Sequence, residues 1–193
     1  KGRLVDAELY LRRAALRDPT NTTIWITLGD LFGEAGRNEE AGRAYQKAVR
    51  LGASDFDTLL RLGIAQANTE QSEAALNTLE RALKIKPDSA QAPFFLGVVY
   101  ERLKEEERAL LSYEKALENG EDSARLHFRL GVLYSRRNKA DQSIDHFSRS
   151  LELEAAKYLP IIQQELRNVT SDLDGVRYKH RFAELLKKHD HLR

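Results

Sequence analysis

The chain has 193 residues, with 31 Lys or Arg against 30 Asp or Glu and a formal charge of +1. That balance excludes a bulk electrostatic binder of nucleic acid or a polybasic membrane protein, and the absence of Cys excludes disulfides, thiolate zinc sites and cysteine nucleophiles. The 41% of hydrophobic residues suffice for a core in a soluble chain, and no apolar run approaches the roughly 18 residues of a membrane helix. The opening "KGRLVDAELYLRRAALRDP" lacks the basic start, apolar centre and small-residue cleavage site of a signal peptide. There is no Met, so the chain reads as part of something longer.

In chain order, the first apolar-periodic stretch is "AELYLRRAALRDP" at 7–19. A repeat then begins. "TLGDLF" at 27–32, "RLGIAQ" at 61–66, "FLGVVY" at 95–100 and "RLGVLY" at 129–134 place Gly29, Gly63, Gly97 and Gly131 34 residues apart. Twelve residues after each Gly stands a small residue: Ala41, Ala75, Ala109 and Ser143. Four further on is a bulky one, Tyr45, Leu79, Tyr113 or Phe147, and three beyond that another small one, Ala48, Ala82, Ala116 or Ser150. Each period holds two apolar stretches with i, i+3, i+4 spacing, separated by a short polar turn. A Gly in a helix interior costs about 1 kcal/mol relative to Ala. Its recurrence predicts a close approach of two helices at each Gly, with the small residues completing the contact.

After residue 155 the register stops. "KYLPIIQQELRNV" predicts an apolar-faced helix with Pro160 tolerated in its first turn. "TSDLDG" reads as a turn. "VRYKHRFAELLKKH" reads as a final amphipathic helix with Phe182, Leu185 and Leu186 on one face. Residues 156–193 carry eight Lys or Arg and five acids, net +3.

The quoted motifs resemble the tetratricopeptide repeat, a 34-residue helix–turn–helix unit. The resemblance covers about residues 7–155 and is close in "WITLGDLF" at 25–32, "AGRAYQKAV" at 41–49 and "AALNTLERALKIKP" at 74–87. It departs from the family pattern at Ala53, Glu121 and Ala155, where a closing Pro is usual. Leu59, Pro93 and His127 replace the first-helix aromatic that is Trp25 in the first full repeat, and Ser143 and Ser150 replace Ala. The resemblance implies an all-α fold: a right-handed α-solenoid of tandem helix–turn–helix units with a C-terminal helical cap. Residues 1–21 would supply the second helix of a truncated repeat. Residues 22–55, 56–89, 90–123 and 124–155 would form four repeats, and 156–193 the cap that a solenoid end requires.

In this family the first helices line a concave groove that takes extended or helical peptides. Carried over to this sequence, the groove is lined by Leu60, Arg61, Ile64, Phe94, Phe95, Val98, Arg125, Phe128, Arg129, Val132 and Arg136, with Asp30 and Asp57 toward the N-terminal end. The apolar members attract apolar side chains without direction. The Arg residues offer forked donors suited to carboxylates, although a solvated face is the plainer reading of each. The implied partner is a protein or peptide with an apolar-plus-acidic segment, and self-association is one further use of such a surface. The family's carboxylate clamp is incomplete: Arg125 and Arg129 match its basic pair, but Leu60, Ile64 and Phe95 stand where Lys, Asn and Asn belong.

Nothing in the sequence marks an enzyme. The five His include His127 in a core-aromatic place and His146 on a second helix. No phosphate loop, nucleophile elbow or dinucleotide fingerprint appears. No catalytic residue, metal ligand, cofactor or nucleic-acid partner is therefore expected. Two other readings stand beside the binding scaffold. One is a structural or regulatory solenoid attached to a catalytic domain. The other is a single-stranded RNA binder using Arg61, Arg102, Arg125, Arg129 and Arg136 with Phe94 and Phe128 as stacking platforms.

Overall fold

Each first helix is started by a side-chain cap, and the caps recur every 34 residues. Asn21 Oδ1 accepts the Thr23 N–H at 3.1 Å, Asp55 Oδ1 the Thr58 N–H at 2.9 Å, Ser89 Oγ the Ala92 N–H at 3.2 Å and Ser123 Oγ the Leu126 N–H at 3.3 Å. Such oxygens satisfy backbone donors that the first helical turn leaves orphaned. The turn inside each unit carries a left-handed residue at the same period: Gly36 (φ 71°), Glu70 (62°), Lys104 (62°) and Asn138 (55°).

These caps and turns come from a computed structural model that describes the backbone of residues 2–167, 180, 181, 183–185 and 187. The described residues are helical with no strand. The helices are α1 (Gly2–Arg17), α2 (Thr22–Glu34), α3 (Asn38–Arg50), α4 (Phe56–Asn68), α5 (Ser72–Ile85), α6 (Gln91–Arg102), α7 (Glu106–Glu118), α8 (Ala124–Arg136) and α9 (Ala140–Arg167). They form two compact units, Lys1–Glu105 and Glu106–Arg193.

In the first unit α1 packs on α2, α2 on α3, α3 on α4, α4 on α5 and α5 on α6, and α4 also meets α6. The core at its N-terminal end joins Ala15, Leu28, Phe32, Ala41, Ala44, Tyr45, Leu62 and Ala65. The recurrent Gly is where helices touch. A methyl group added to Gly63 would fall 2.6 Å from Leu79 Cδ2, and one on Gly29 would strike the Tyr45 ring. Both partners are buried, so the helix-propensity cost of Gly is offset by the closer packing it permits. α1 is tied down by charge: Arg37 Nη1 donates to Glu8 Oε2 at 2.6 Å, and the same guanidinium pairs with Glu40 and lies 4.5 Å from the centroid of the Phe32 ring.

In the second unit α8 packs on α7 and α9. A methyl on Gly131 would fall 2.6 Å from Phe147 Cδ1. The two Ser that replace the usual Ala are fully buried. Their hydroxyls donate across to α8: Ser143 Oγ to the Gly131 carbonyl at 2.8 Å and Ser150 Oγ to the Ala124 carbonyl at 2.9 Å. α9 breaks at Glu154 (φ −146°, ψ 65°). Pro160 therefore lies in the second turn after the break, not in the first turn as expected from the sequence. The missing N–H would have bonded the Ala156 carbonyl; both residues are exposed, so water can take that carbonyl. Beyond the break, Tyr158, Leu159, Ile162 and Leu185 bury themselves with Val132, Ile144, Phe147 and Leu151. Phe182, Leu186 and the "TSDLDG" stretch lie outside the described residues.

Candidate functional site

The caps set where each first helix begins, and so which side chains it presents. In the first unit, α4 presents Leu60, Arg61 and Ile64, and α6 presents Phe94, Phe95 and Val98. Leu60 and Phe94 are buried, at 5% and 4% exposure. They are core residues in this structure and offer a partner little area. Ile64, Phe95 and Val98 are half-buried. Phe95 is held by an edge-on contact with Phe94, ring centroids 5.2 Å apart and planes at 87°, an arrangement favoured by the ring quadrupoles.

Arg61 is exposed but engaged. Its Nη1 pairs with Asp30 Oδ1 of α2, and the same oxygen accepts the Tyr45 hydroxyl at 2.7 Å. Burial first, and then the Asp30 carboxylate, push the Tyr45 phenol far above its ordinary value. The triad joins α2, α3 and α4, and it balances the Arg61 charge that the sequence reading assigned to a ligand carboxylate. Arg102, at the end of α6, donates to the Ala67 carbonyl.

In the second unit, α8 presents Arg125, Phe128, Arg129, Val132 and Arg136. Val132 is buried, Phe128 and Arg129 are half-buried, and Arg125 and Arg136 are exposed. Phe128 spends part of its ring on the core, 5.3 Å from the Tyr158 centroid and 6.1 Å from that of Phe147. Arg136 pairs with Glu106 of α7 at 2.9 Å.

One feature has no counterpart in the sequence reading. α1, α2 and α3 enclose an open cleft of about 430 Å³ whose walls include Ala15, Leu16, Trp25, Leu28, Phe32 and Ala44, with Arg12, Glu40 and Arg43 at its edges. Leu16 is 84% exposed there, and Trp25 is oriented by an Nε1–H bond to the Pro19 carbonyl at 2.9 Å. Ala15 of α1 and Ala44 of α3 are the small residues among its large apolar walls. Among the described residues no group of three His, Asp or Glu could hold a metal ion, and no helix is long and apolar enough to cross a membrane.

Tandem helix–turn–helix units closed by a Gly-to-bulky contact define a tetratricopeptide-repeat protein, a class whose fold commonly mediates protein–protein interaction and is generally non-catalytic. The repeat model itself matches residues 107–160. The model of the cilia and flagella-associated protein 70 middle TPR-like domain matches residues 1–119, and the chain belongs to that family. No curated protein matches the sequence. Among solved structures, MamA is similar over 82% of this chain and 93% of its own, at 26% identity and a TM-score of 0.72. MamA 41-end from Desulfovibrio magneticus RS-1 is similar over 81% and 88%, at 23% identity and 0.71. YrrB, described as a TPR protein with an unusual peptide-binding site, is similar over 85% and 84%, at 20% identity and 0.69.

Proposed function

We propose that the chain is a non-catalytic binding scaffold, organised as the repeats bounded above, that holds a segment of a partner protein on the faces of its first helices. The observation that carries this reading is the strip of Ile64, Phe95 and Val98, left half-buried on two helices that pack on each other. Partly exposed apolar groups on a rigid surface gain from being covered. The aromatic among them is the natural anchor. In the second unit, Arg125 and Arg129 supply forked donors for Asp, Glu or a free C-terminus. On α8 alone, half-buried Phe128 beside Arg125 and Arg129 fits an apolar-plus-acidic segment. Membership of a family named for cilia and flagella makes ciliary and flagellar proteins the first candidates for its source.

The test is a peptide-library selection followed by titration of the best hit. Phe95→Ala should weaken binding by more than about 1 kcal/mol. Arg125→Glu with Arg129→Glu should mainly slow association and reduce the preference for acidic peptides. Steep loss of binding with salt would favour RNA instead. A second reading rests on the apolar cleft of α1, α2 and α3: hits indifferent to both variants but lost in Leu16→Asp would move the site there.

A further inference from the structure

The second unit contains a polar chain that the binding face does not use. Asp122, in the turn before α8, lies with Oδ1 2.8 Å from His127 Nε2. The other ring nitrogen of His127, Nδ1, lies 2.9 Å from Nδ1 of His146 on α9. The ring centroids are 5.1 Å apart, close to that gap plus the two ring radii. The two nitrogens thus face each other along one line, with room between them for a proton and not for a metal ion. His127 is buried at 6% exposure. The His146 ring stacks on Tyr134 of α8, centroids 5.4 Å apart and planes within 4°.

Among the described residues, these charged and titratable groups stand around the pair. Asp122 faces it from the turn and also accepts Arg149 Nε of α9 at 3.2 Å. Glu114 of α7 accepts the hydroxyl of Tyr134, whose ring stacks on His146. Lys139, in the turn between α8 and α9, lies 5.7 Å from the Tyr134 ring centroid.

Proton counting gives this chain an unusual property. The contact with Asp122 requires a proton on His127 Nε2. The contact between the rings requires one proton shared across the two Nδ1 atoms. With both rings neutral, His146 donates and His127 accepts. One added proton is accommodated, because His127 can become an imidazolium that faces Asp122 and donates to a neutral His146. A second added proton is not, because two N–H groups would then point at each other across 2.9 Å.

We propose that the Asp122–His127–His146 chain is an acid-released latch between α8 and α9, and that it sets the position of the α8 face that carries Arg125, Phe128 and Arg129. Burial first, and the neighbouring His127 second, hold His146 down at about 4 against an ordinary 6.5. A histidine whose folded value is depressed stabilises the fold above its unfolded value, and that contribution is lost as pH falls from 6.5 through 4. Asp122 does not change over this window, since Arg149 first and His127 second hold its carboxyl down at about 2. The group that changes is His146.

The experiment follows the histidine ring resonances of the whole chain by NMR from neutral pH to about 4, with amide-exchange protection factors of α8 and α9 measured beside those of α2 to α5. His146 is expected to titrate about 2.5 pH units below an ordinary His, the difference between 6.5 and 4. Protection in α8 and α9 is expected to fall over that window while α2 to α5 change less. His146→Phe keeps a ring against Tyr134 and removes the nitrogens, and its α8 and α9 protection should be flat across the same range. A wild-type His146 that titrates near 6.5, or an undiminished acid loss in His146→Phe, overturns the latch. Should the variant fail to fold, the wild-type titration decides alone.

Discussion

Gly29 and Gly33 lie one turn apart on α2, yet the fold demands opposite things of them. Both are helical, and replacing either by Ala should gain about 0.5–1 kcal/mol from propensity and a less flexible unfolded chain. At Gly33 the new methyl meets nothing closer than Tyr45 Oη at 3.9 Å, an ordinary contact. The gain is kept, so Gly33→Ala should stabilise by that amount. At Gly29 the methyl would lie 2.6 Å from Tyr45 Cδ1 and 2.8 Å from Cζ. Tyr45 is at 5% exposure and its hydroxyl is fixed on Asp30. It must move most of an ångström, which strains the core by about 1–3 kcal/mol and weakens a hydrogen bond to a charged acceptor worth about 1.5–3 kcal/mol. Gly29→Ala should therefore lose about 1–3 kcal/mol net, and the two variants should differ by about 1.5–4 kcal/mol. Urea unfolding followed by circular dichroism gives both values. Tyr45→Ala should cost less in the Gly29→Ala background than in the wild type, as expected of two residues in contact. Equal stabilisation by Ala at both positions would refute the claim that Gly29 exists for the Tyr45 contact.

Two further outcomes follow from the turns and the C-terminal core. Glu70 holds a left-handed conformation at φ 62°, which costs a non-Gly residue about 1–2 kcal/mol. Glu70→Gly should stabilise by a net ~0.5–1 kcal/mol, read as a higher unfolding midpoint, and Asn138→Gly by less, since Asn tolerates that region; a lower midpoint for Glu70→Gly contradicts the strain. Truncation after Ser150 removes Leu151, Tyr158, Leu159, Ile162 and Leu185 from the cluster around Phe147, where each buried side chain is worth about 1.5–3 kcal/mol. The truncated chain should associate or precipitate in sedimentation, and a stable monomer with unchanged unfolding would detach these residues from the fold.

The packing of the repeat was legible because it repeats. A helix can approach its neighbour at Gly29 and at Gly131 in only one way, so the same residue type returns at the same interval. The caps at 21, 55, 89 and 123 and the left-handed positions at 36, 70, 104 and 138 follow the same interval. They are harder to see because several residue types satisfy each requirement: Asn, Asp and Ser all cap, and Gly, Asn, Glu or Lys stands in the turn. The individual turns of α9 were less legible, because the break at Glu154 has no repeated counterpart.

The candidate site was less legible, for a geometric reason. Groove and core positions on a first helix are separated by one residue, about 100° of rotation. Leu60 and Phe94 thus look like lining in the sequence and are core in the structure, while Arg61 and Phe95, their immediate neighbours, reach the surface. Charge was less legible for a different reason, since the partner of an Arg such as Arg61 is remote in sequence. Its partner sits about one repeat earlier: Arg61 with Asp30, Arg136 with Glu106 and Arg137 with Glu107 are 31, 30 and 30 residues apart. Neighbouring repeats bring such positions together, so opposite charges at that separation are the sequence mark of a pair already made. Under the proposed function, a ligand carboxylate at Arg61 would compete with Asp30 and one at Arg136 with Glu106, a competition that favours segments carrying several acids over a single terminal carboxylate.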